Sequence, residues 1–250
     1  VEFDILMDGA IRGVLDELDP HSVYITAEEL EEIDEQFKGN FQGIGIEFDV
    51  LNGILTVIAP VADSPSEHAG ILPGDKIIKI NGKDAIGITK EGVFKQLRGK
   101  KGTKVTVTIK RAGTSKPFDI TIIRDTIPLY SIRTSIMLDY QTGYIWLTRF
   151  SATSLSEVKY AISELLEKGM QRLILDLRNN SGGLLKQAAK ITNLFIAKSD
   201  TIVYTRGRRE ELEQVFIADP KKGNEGFPLV VLVNRGSASA SEIVAGALQI

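Results

Sequence analysis

The 250-residue sequence contains no cysteine and only two histidines, His21 and His68. The absence of cysteine excludes disulfide bonds, thiol nucleophiles and zinc sites with cysteine ligands. Neither histidine lies in a motif typical of a general base, so we expect surface or packing roles for both.

The sequence also lacks a strong net charge and a long apolar run. With 30 basic and 33 acidic residues, the formal net charge is -3, which attracts neither nucleic acid nor an anionic membrane. No apolar stretch approaches the roughly 20 residues that a membrane-spanning helix needs. The sequence begins at Val1 without a signal-peptide pattern, which is typical of a mature or trimmed chain.

Three regions differ in their residue pattern. Residues 1–40 place apolar side chains at helical spacing, and Thr26 is a suitable N-cap, so we predict a helical segment. Residues 41–125 are β-rich and divided by glycine and proline turns, with one helix expected at 89–99. Residues 126–250 alternate strands and helices, which predicts an α/β fold with parallel strands. The strands predicted there are 143–150, 172–179, 201–206 and 228–233, and the helices are 154–169 and 184–196.

A glycine-rich turn opens the β-rich region. Gly43, Ile44, Gly45 and Ile46 precede a strand, and such glycines allow several N–H groups to converge on one anion. A peptide C-terminal carboxylate is one such anion.

This turn, the following run SPSEHAGILPGDKIIKINGKDA (64–85) and the helix at 89–98 resemble a PDZ domain. The resemblance implies a groove between the strand at 44–48 and that helix, in which a peptide adds as an extra strand. Arg98 either meets an acidic group in this groove or is a solvated charge at the helix end.

Three serines follow the apolar run at 228–233, where a strand gives way to a helix. Ser239 and Glu242 fit a capping box, and Ser237 and Ser241 are also suitable caps. Alternatively, Ser239 is a nucleophile at the carboxyl end of a parallel strand, and the Ala240 N–H stabilises an oxyanion. The residue pattern alone leaves both interpretations open.

A second strand-to-helix turn, LDLRNNSGGLL (175–185), carries Gly182 and Gly183. One of these glycines can supply a second oxyanion donor, although a plain turn capped by Asn180 or Ser181 has the same pattern. The run NSGG is similar to the nucleophile motif of chymotrypsin-like proteases, but its flanking residues, Asn179 and Leu184, differ from that motif. We therefore do not assign Ser181 as a nucleophile.

Four segments in order, LDPHSVY (18–24), the PDZ-like module, LDLRNNSGGLL and VNRGSASASEIVAGALQ (233–249), resemble the carboxy-terminal processing proteases, serine peptidases of family S41. The resemblance implies a crotonase-like or ClpP-like α/β core, a Ser239 nucleophile and an oxyanion hole formed by Ala240 with Gly182 or Gly183. It also implies a lysine general base, no metal or organic cofactor, and protein or peptide substrates bound by their C-termini. Members usually act in the periplasm, cell envelope or thylakoid lumen, and a homo-oligomer is compatible with the pattern.

The sequence departs from the family pattern near its end. In the family, the lysine lies further along the chain than Ile250. Family members also commonly have an aspartate at the position of Ile250. We therefore expect these 250 residues alone to be inactive. Two alternatives remain. One is a non-catalytic peptide-binding protein that keeps the PDZ groove. The other is a crotonase-like acyl-CoA enzyme, against which the PDZ-like module and the three serines argue.

Overall fold

The computed structural model describes residues 3–20, 22–209, 211, 213–219, 221 and 226–249. His21 and Ile250 therefore lie outside the described residues. No described helix is both long and apolar enough to cross a bilayer.

Two helices form the N-terminal segment, α1 (Phe3–Asp16) and α2 (Ala27–Lys38). The predicted cap of α2 is confirmed, because the Glu29 N–H donates to Thr26 Oγ1 (3.2 Å) and the Thr26 N–H donates to Glu29 Oε2 (2.8 Å). Gly39 ends α2 in the left-handed conformation, with φ +75°. Large apolar side chains of α1 and of the segment after it are exposed: Phe3, Ile5, Leu6, Met7, Val14 and Leu18.

A six-stranded antiparallel sheet forms the β-rich module. Its order is β2-β3-β4-β6-β7, and β5 pairs with β4 at one side. Residues alternate inward and outward along β6, so Val105, Val107 and Ile109 are buried, each contributing about 2 kcal/mol. The strands are β2 (Ile46–Leu51), β3 (Ile54–Pro60), β4 (Lys76–Ile80), β5 (Lys83–Asp84), β6 (Lys104–Lys110) and β7 (Phe118–Ile123), and the helices are α3 (Pro65–His68) and α4 (Lys90–Leu97).

A separate pair of strands lies where the chain enters and leaves this module. β1 (Asn40–Gly43) pairs antiparallel with β8 (Asp125–Pro128), and Gly43 lies opposite Asp125. The pair brings together the two ends of the predicted 41–125 domain.

The α/β core contains a four-stranded sheet of order β14-β11-β10-β9. β10, β11 and β14 are parallel, as predicted, while β9 runs antiparallel at the edge. Leu173, Leu175 and Leu177 project from β11 and its end into a buried cluster with the helices. The elements are β9 (Ile132–Met137), β10 (Thr142–Leu147), α5 (Ser154–Glu167), β11 (Arg172–Asp176), α6 (Leu185–Thr192), β14 (Leu229–Leu232) and α7 (Ala240–Ala247).

The predicted strand at 201–206 is present but does not join the parallel sheet. β12 (Thr201–Thr205) pairs antiparallel with β13 (Gln214–Ile217) to form a hairpin. Ile202 and Ala218 pack against Ala189 of α6 in a small separate cluster. The alternating strand–helix pattern suggested this strand for the parallel sheet, but its burial against α6 places it elsewhere.

Candidate active site

The segment between β14 and α7 contains a strained residue. Ser239 has φ +51° and ψ −113°, a conformation that side-chain-bearing residues rarely adopt, and it is exposed immediately before Ala240. In enzymes of the α/β-hydrolase fold, a sharp strand-to-helix turn of this kind presents a nucleophilic serine.

The three serines have different hydrogen-bond roles. Ser237 Oγ donates to the Leu177 carbonyl (2.8 Å) and accepts from the Asn234 N–H (3.0 Å). Ser241, which is fully buried, donates to the Asn180 carbonyl (2.8 Å). The hydroxyls of Ser237 and Ser241 therefore connect this turn by hydrogen bonds to the residues that follow β11, whereas Ser239 is exposed.

The residues of the predicted capping box are both in place. Glu242 Oε2 accepts the Ser239 N–H at 2.7 Å. The Glu242 N–H donates to the Ser239 carbonyl at 2.9 Å, and the Ser239 hydroxyl makes no cap hydrogen bond. The two interpretations of Ser239 are thus compatible, because its backbone caps α7 while its hydroxyl stays available.

The Gly182–Gly183 turn lies directly against Ser239. Gly182 has φ +110°, and a methyl group on its Cα would lie 2.8 Å from Ser239 Cβ and 3.0 Å from the Ala240 nitrogen. Only glycine fits this approach. The structure therefore brings the predicted residues of the two turns together.

The backbone around Gly183 determines which amides are available. The Gly182 N–H donates to Asn180 Oδ1 (2.9 Å). The Phe150 N–H donates to the Gly182 carbonyl (2.9 Å) and the Leu184 N–H to the Phe150 carbonyl (2.7 Å), so the Gly183 N–H points away from Phe150. Among the described residues, neither the Gly183 nor the Ala240 N–H donates a hydrogen bond.

Sequence reasoning offered Asn180 only as a cap of its own turn, and it missed the contacts by which asparagines join the two turns. Asn179, at φ +60°, donates its N–H to Asn234 Oδ1 (2.9 Å), and Asn234 Nδ2 donates to Asn179 Oδ1 (3.0 Å). Asn180 is fully buried and contacts both turns. One feature of the sequence could have indicated them, because each of these asparagines follows an apolar strand.

A buried carboxylate lies at the end of β11. Asp176 accepts from the Tyr144 hydroxyl (2.6 Å) and from Arg178 Nη2 (2.6 Å), beside a cavity of about 190 Å³. Burial raises the pKa of Asp176, but the hydrogen bonds from Arg178 and Tyr144 outweigh it and hold this pKa below its usual value. Burial and the hydrogen bond to Asp176 raise the pKa of Tyr144. Asp176 is therefore ionised at neutral pH.

The glycine-rich turn of the β-rich module is buried at Gly43, Ile44 and Gly45. Its carbonyls are engaged: Ser64 Oγ donates to the Gly45 carbonyl (3.0 Å) and the Ser66 N–H to the Ile44 carbonyl (2.9 Å). In the described part of the chain, no hydrogen bond is made by the N–H groups of Ile44 and Gly45.

β2 and α4, the two elements predicted to line the peptide groove, contact each other beside this turn. Phe48 of β2 meets Phe94 of α4 edge to face, with ring centroids 5.3 Å apart. Asp49 of β2 pairs with Lys90 of α4 at 2.9 Å. The strand predicted at 44–48 is found at Ile46–Leu51, and the helix predicted at 89–98 is found at Lys90–Leu97. Both elements therefore lie within three residues of their predicted bounds.

Arg98, at the end of α4, pairs with Glu35 of α2 at 2.8 Å. Its guanidinium carbon lies 4.6 Å from the ring centroid of Phe94 and 5.3 Å from that of Phe41. A cavity of about 790 Å³ lies between α2, β1 and α4. Burial raises the pKa of Glu35, and Arg98 opposes this shift. Arg98 was expected either to meet an acidic group in the groove or to be a solvated charge. It does meet an acidic group, but that group is Glu35 of the N-terminal segment.

His68 ends α3 on the surface of the β-rich module. Its ligand atoms and those of Asp63 and Glu67 lie within 4.8 Å of one another, and all three residues are exposed. Nothing in this arrangement connects His68 with Ser239.

Comparison with known proteins agrees with the two parts of the fold. Residues 42–122 match the PDZ domain family, and residues 141–250 match peptidase family S41. The chain is 42% identical over 250 residues to a carboxy-terminal-processing protease of Bartonella bacilliformis, covering 98% of this chain and 56% of that protein. It is 42% identical over 249 residues to the carboxy-terminal processing protease CtpA of Bacillus subtilis, covering 98% of this chain and 52% of that protein.

Among solved structures, the photosystem II D1 C-terminal processing protease is similar at 28% identity, with a TM-score of 0.47, and the match covers 99% of this chain and 68% of that one. The chain spans about half the length of the curated relatives it matches. On the strength of the two family matches and of these relatives, the chain belongs to peptidase family S41, that of the carboxy-terminal processing proteases, and includes a PDZ domain.

Proposed function

We propose that the protein is a serine endopeptidase that binds substrate C-termini in its PDZ groove and cleaves peptide bonds near them. One observation carries the proposal: the exposed Ser239 is held at positive φ next to Ala240 and the glycine turn, where the N–H groups of Ala240 and Gly183 donate no hydrogen bond to any described residue. Strain of this kind persists where the surrounding structure imposes it, which is typical of active sites.

In the proposed reaction, Ser239 Oγ attacks the scissile carbonyl carbon. The negative charge that develops on the carbonyl oxygen is stabilised by the Ala240 and Gly183 N–H groups, which need no reorganisation. We assign Gly183 rather than Gly182 because the Gly182 N–H already donates to Asn180.

The general base is, in this proposal, a neutral lysine from a part of the protein outside these 250 residues, as the family resemblance implies. It accepts the Ser239 proton and passes it to the leaving amine, so an ester forms as the amide bond breaks. Water then hydrolyses the ester and restores the hydroxyl.

The PDZ groove supplies substrate binding in this scheme. The peptide adds as a strand beside β2, and its terminal carboxylate meets the N–H groups of the turn at residues 43–46, near Arg98. We also propose, following the family resemblance, that the protein acts outside the cytoplasm, in the periplasm or cell envelope.

The decisive experiment compares two serine variants of the full-length protein, with fluorescein-labelled casein as an unfolded substrate. We expect Ser239→Ala to lose at least 10³-fold in kcat. Ser181→Ala is the matched control, because Ser181 is exposed on the neighbouring turn and should retain wild-type activity. Equal cleavage by Ser239→Ala and wild type would overturn the proposal. An inactive wild-type protein that still binds C-terminal peptides would favour a non-catalytic binding protein instead.

A further inference from the structure

Asn180 contacts three separate parts of the site from a fully buried position. Its side-chain Nδ2 donates to the Leu147 carbonyl at the end of β10 (2.9 Å), and its Oδ1 accepts the Gly182 N–H (2.9 Å). Its backbone carbonyl accepts both the Ala238 N–H (3.1 Å) and Ser241 Oγ (2.8 Å). One residue is thus bonded to β10, to the glycine turn and to the turn that carries Ser239.

We propose that Asn180 is the positioning residue of the oxyanion hole. By accepting the Gly182 N–H, it fixes the Ser181–Gly182 peptide plane, which directly precedes the plane that carries the Gly183 N–H. The Phe150 N–H holds that second plane through the Gly182 carbonyl, and together the two bonds leave the Gly183 N–H free to face Ser239. This inference rests on the proposed function and extends it to a residue that touches neither substrate nor reacting atoms.

The need for such a residue follows from the glycines. Gly182 at φ +110° and Gly183 at φ +139° carry no side chain that restricts their backbone, so peptide planes can rotate there at little steric cost. A rotated plane places a carbonyl, rather than an N–H, in the hole. Two hydrogen bonds oppose such rotation. The Phe150 N–H holds the Gly182 carbonyl, and the buried Asn180 Oδ1 holds the Gly182 N–H, so a rotation of either plane would leave buried polar atoms without partners.

The backbone of Asn180 fixes the other half of the hole. Ala238 and Ser241 flank Ser239 and Ala240, and both donate to the Asn180 carbonyl. Asn180 therefore contacts the backbone on both sides of the hole, and the two bonds of Phe150 to the glycine turn complete the arrangement.

The first test uses Asn180→Leu, which keeps the side-chain volume but removes the carboxamide, in the full-length protein with fluorescein-labelled casein. We expect kcat to fall by about 10²-fold, the loss typical of one oxyanion donor, with KM within threefold of wild type. Leu165→Ala is the stability control, since Leu165 is fully buried in the same core but lies on α5, away from both turns. It should lower the melting temperature while leaving kcat unchanged well below that temperature.

The second test, Asn180→Asp, applies also if the leucine variant fails to fold. A protonated aspartic acid can donate to the Leu147 carbonyl and accept from the Gly182 N–H, whereas the carboxylate cannot donate. Because burial raises the pKa of a carboxylic acid, the ratio of the variant's kcat to that of wild type should fall as pH rises. The same ratio for Leu165→Ala should not depend on pH.

The outcomes separate this proposal from the function it extends. If Ser239→Ala abolishes cleavage but Asn180→Leu keeps wild-type kcat, the positioning role alone is wrong. The same conclusion follows if Leu165→Ala reproduces both the kcat loss and the pH-dependent ratio. If Ser239→Ala cleaves like wild type, the assignment of the nucleophile and this proposal fail together.

Discussion

At the scale of single residues, the main feature of the site is the strained backbone of Ser239. A positive φ at a residue with a side chain costs of order 1 kcal/mol or more, which the rest of the structure must offset. Here the offsetting contacts are local: Glu242 accepts the Ser239 N–H, and the flanking hydroxyls of Ser237 and Ser241 bond to the end of β11. The strain is therefore maintained by its immediate neighbours.

We expect Ser239→Gly to be more stable than Ser239→Ala by about 1 kcal/mol, because glycine adopts positive φ without strain. Urea unfolding of the two variants measures the difference. Ser181 provides the control pair, since its φ is not positive and glycine there should be less stable than alanine. If the glycine variant is less stable than the alanine variant at residue 239 as well as at residue 181, residue 239 is not strained.

At the scale of secondary-structure elements, the site forms where β10, β11 and β14 end at one edge of the sheet. Asp176, at the end of β11, bonds the Tyr144 hydroxyl of β10 and the side chain and N–H of Arg178 in the following turn. The carboxylate therefore joins two strands at the point where the glycine turn begins.

Replacing this carboxylate should change how stability depends on pH. The folded-state pKa of Asp176 is below its usual value, so its contribution is present above about pH 4 and is lost as pH falls through the folded pKa. We expect Asp176→Asn to unfold more readily at pH 7 by about 2 kcal/mol, the scale of hydrogen bonds to a charged group, and the difference to shrink below about pH 4. Unfolding in urea at a series of pH values measures this, and a difference that does not change with pH would refute it.

The elements differ in how well the sequence predicts them. The N-cap Thr26 was predicted correctly because capping involves residues three positions apart. β9 and β13 were missed, and β12 was expected in the wrong sheet, because strand pairing depends on contacts that are distant in sequence. The same limit applies to the site. The motifs indicate Ser239 and the glycines, but the roles of Asn180 and Asn234 and the pairing of Glu35 with Arg98 appear only in three dimensions.

At the scale of the whole molecule, an ion pair connects the N-terminal segment to the PDZ domain. Glu35 of α2 bonds Arg98 of α4, at the end of the groove proposed to receive a peptide carboxylate. The carboxylate of Glu35 and the terminal carboxylate of a bound peptide would then compete for the guanidinium of Arg98.

We predict that Glu35→Gln binds C-terminal peptides about fivefold more tightly, since it frees Arg98 from its partner; this corresponds to about 1 kcal/mol. The measurement is fluorescence anisotropy of a labelled decapeptide ending in alanine, added to full-length protein that carries Ser239→Ala. Asp34→Asn is the control, because Asp34 lies on the same helix and pairs with Lys38 rather than Arg98. The gain should be absent for the same peptide with an amidated C-terminus, and an equal gain there would contradict competition between carboxylates.

The separation of the two turns along the chain has a consequence for biosynthesis. The bond from Ser241 to Asn180 joins residues 61 positions apart, and the bond between Asn179 and Asn234 spans 55. Contacts of such long range form late in folding, because a long loop must close first. A nascent chain leaving the ribosome would therefore have its glycine turn long before the nucleophile is aligned beside it. The proposed peptidase activity would therefore require that β14 has paired with β11. Chains still being synthesised would lack this activity and would not degrade one another.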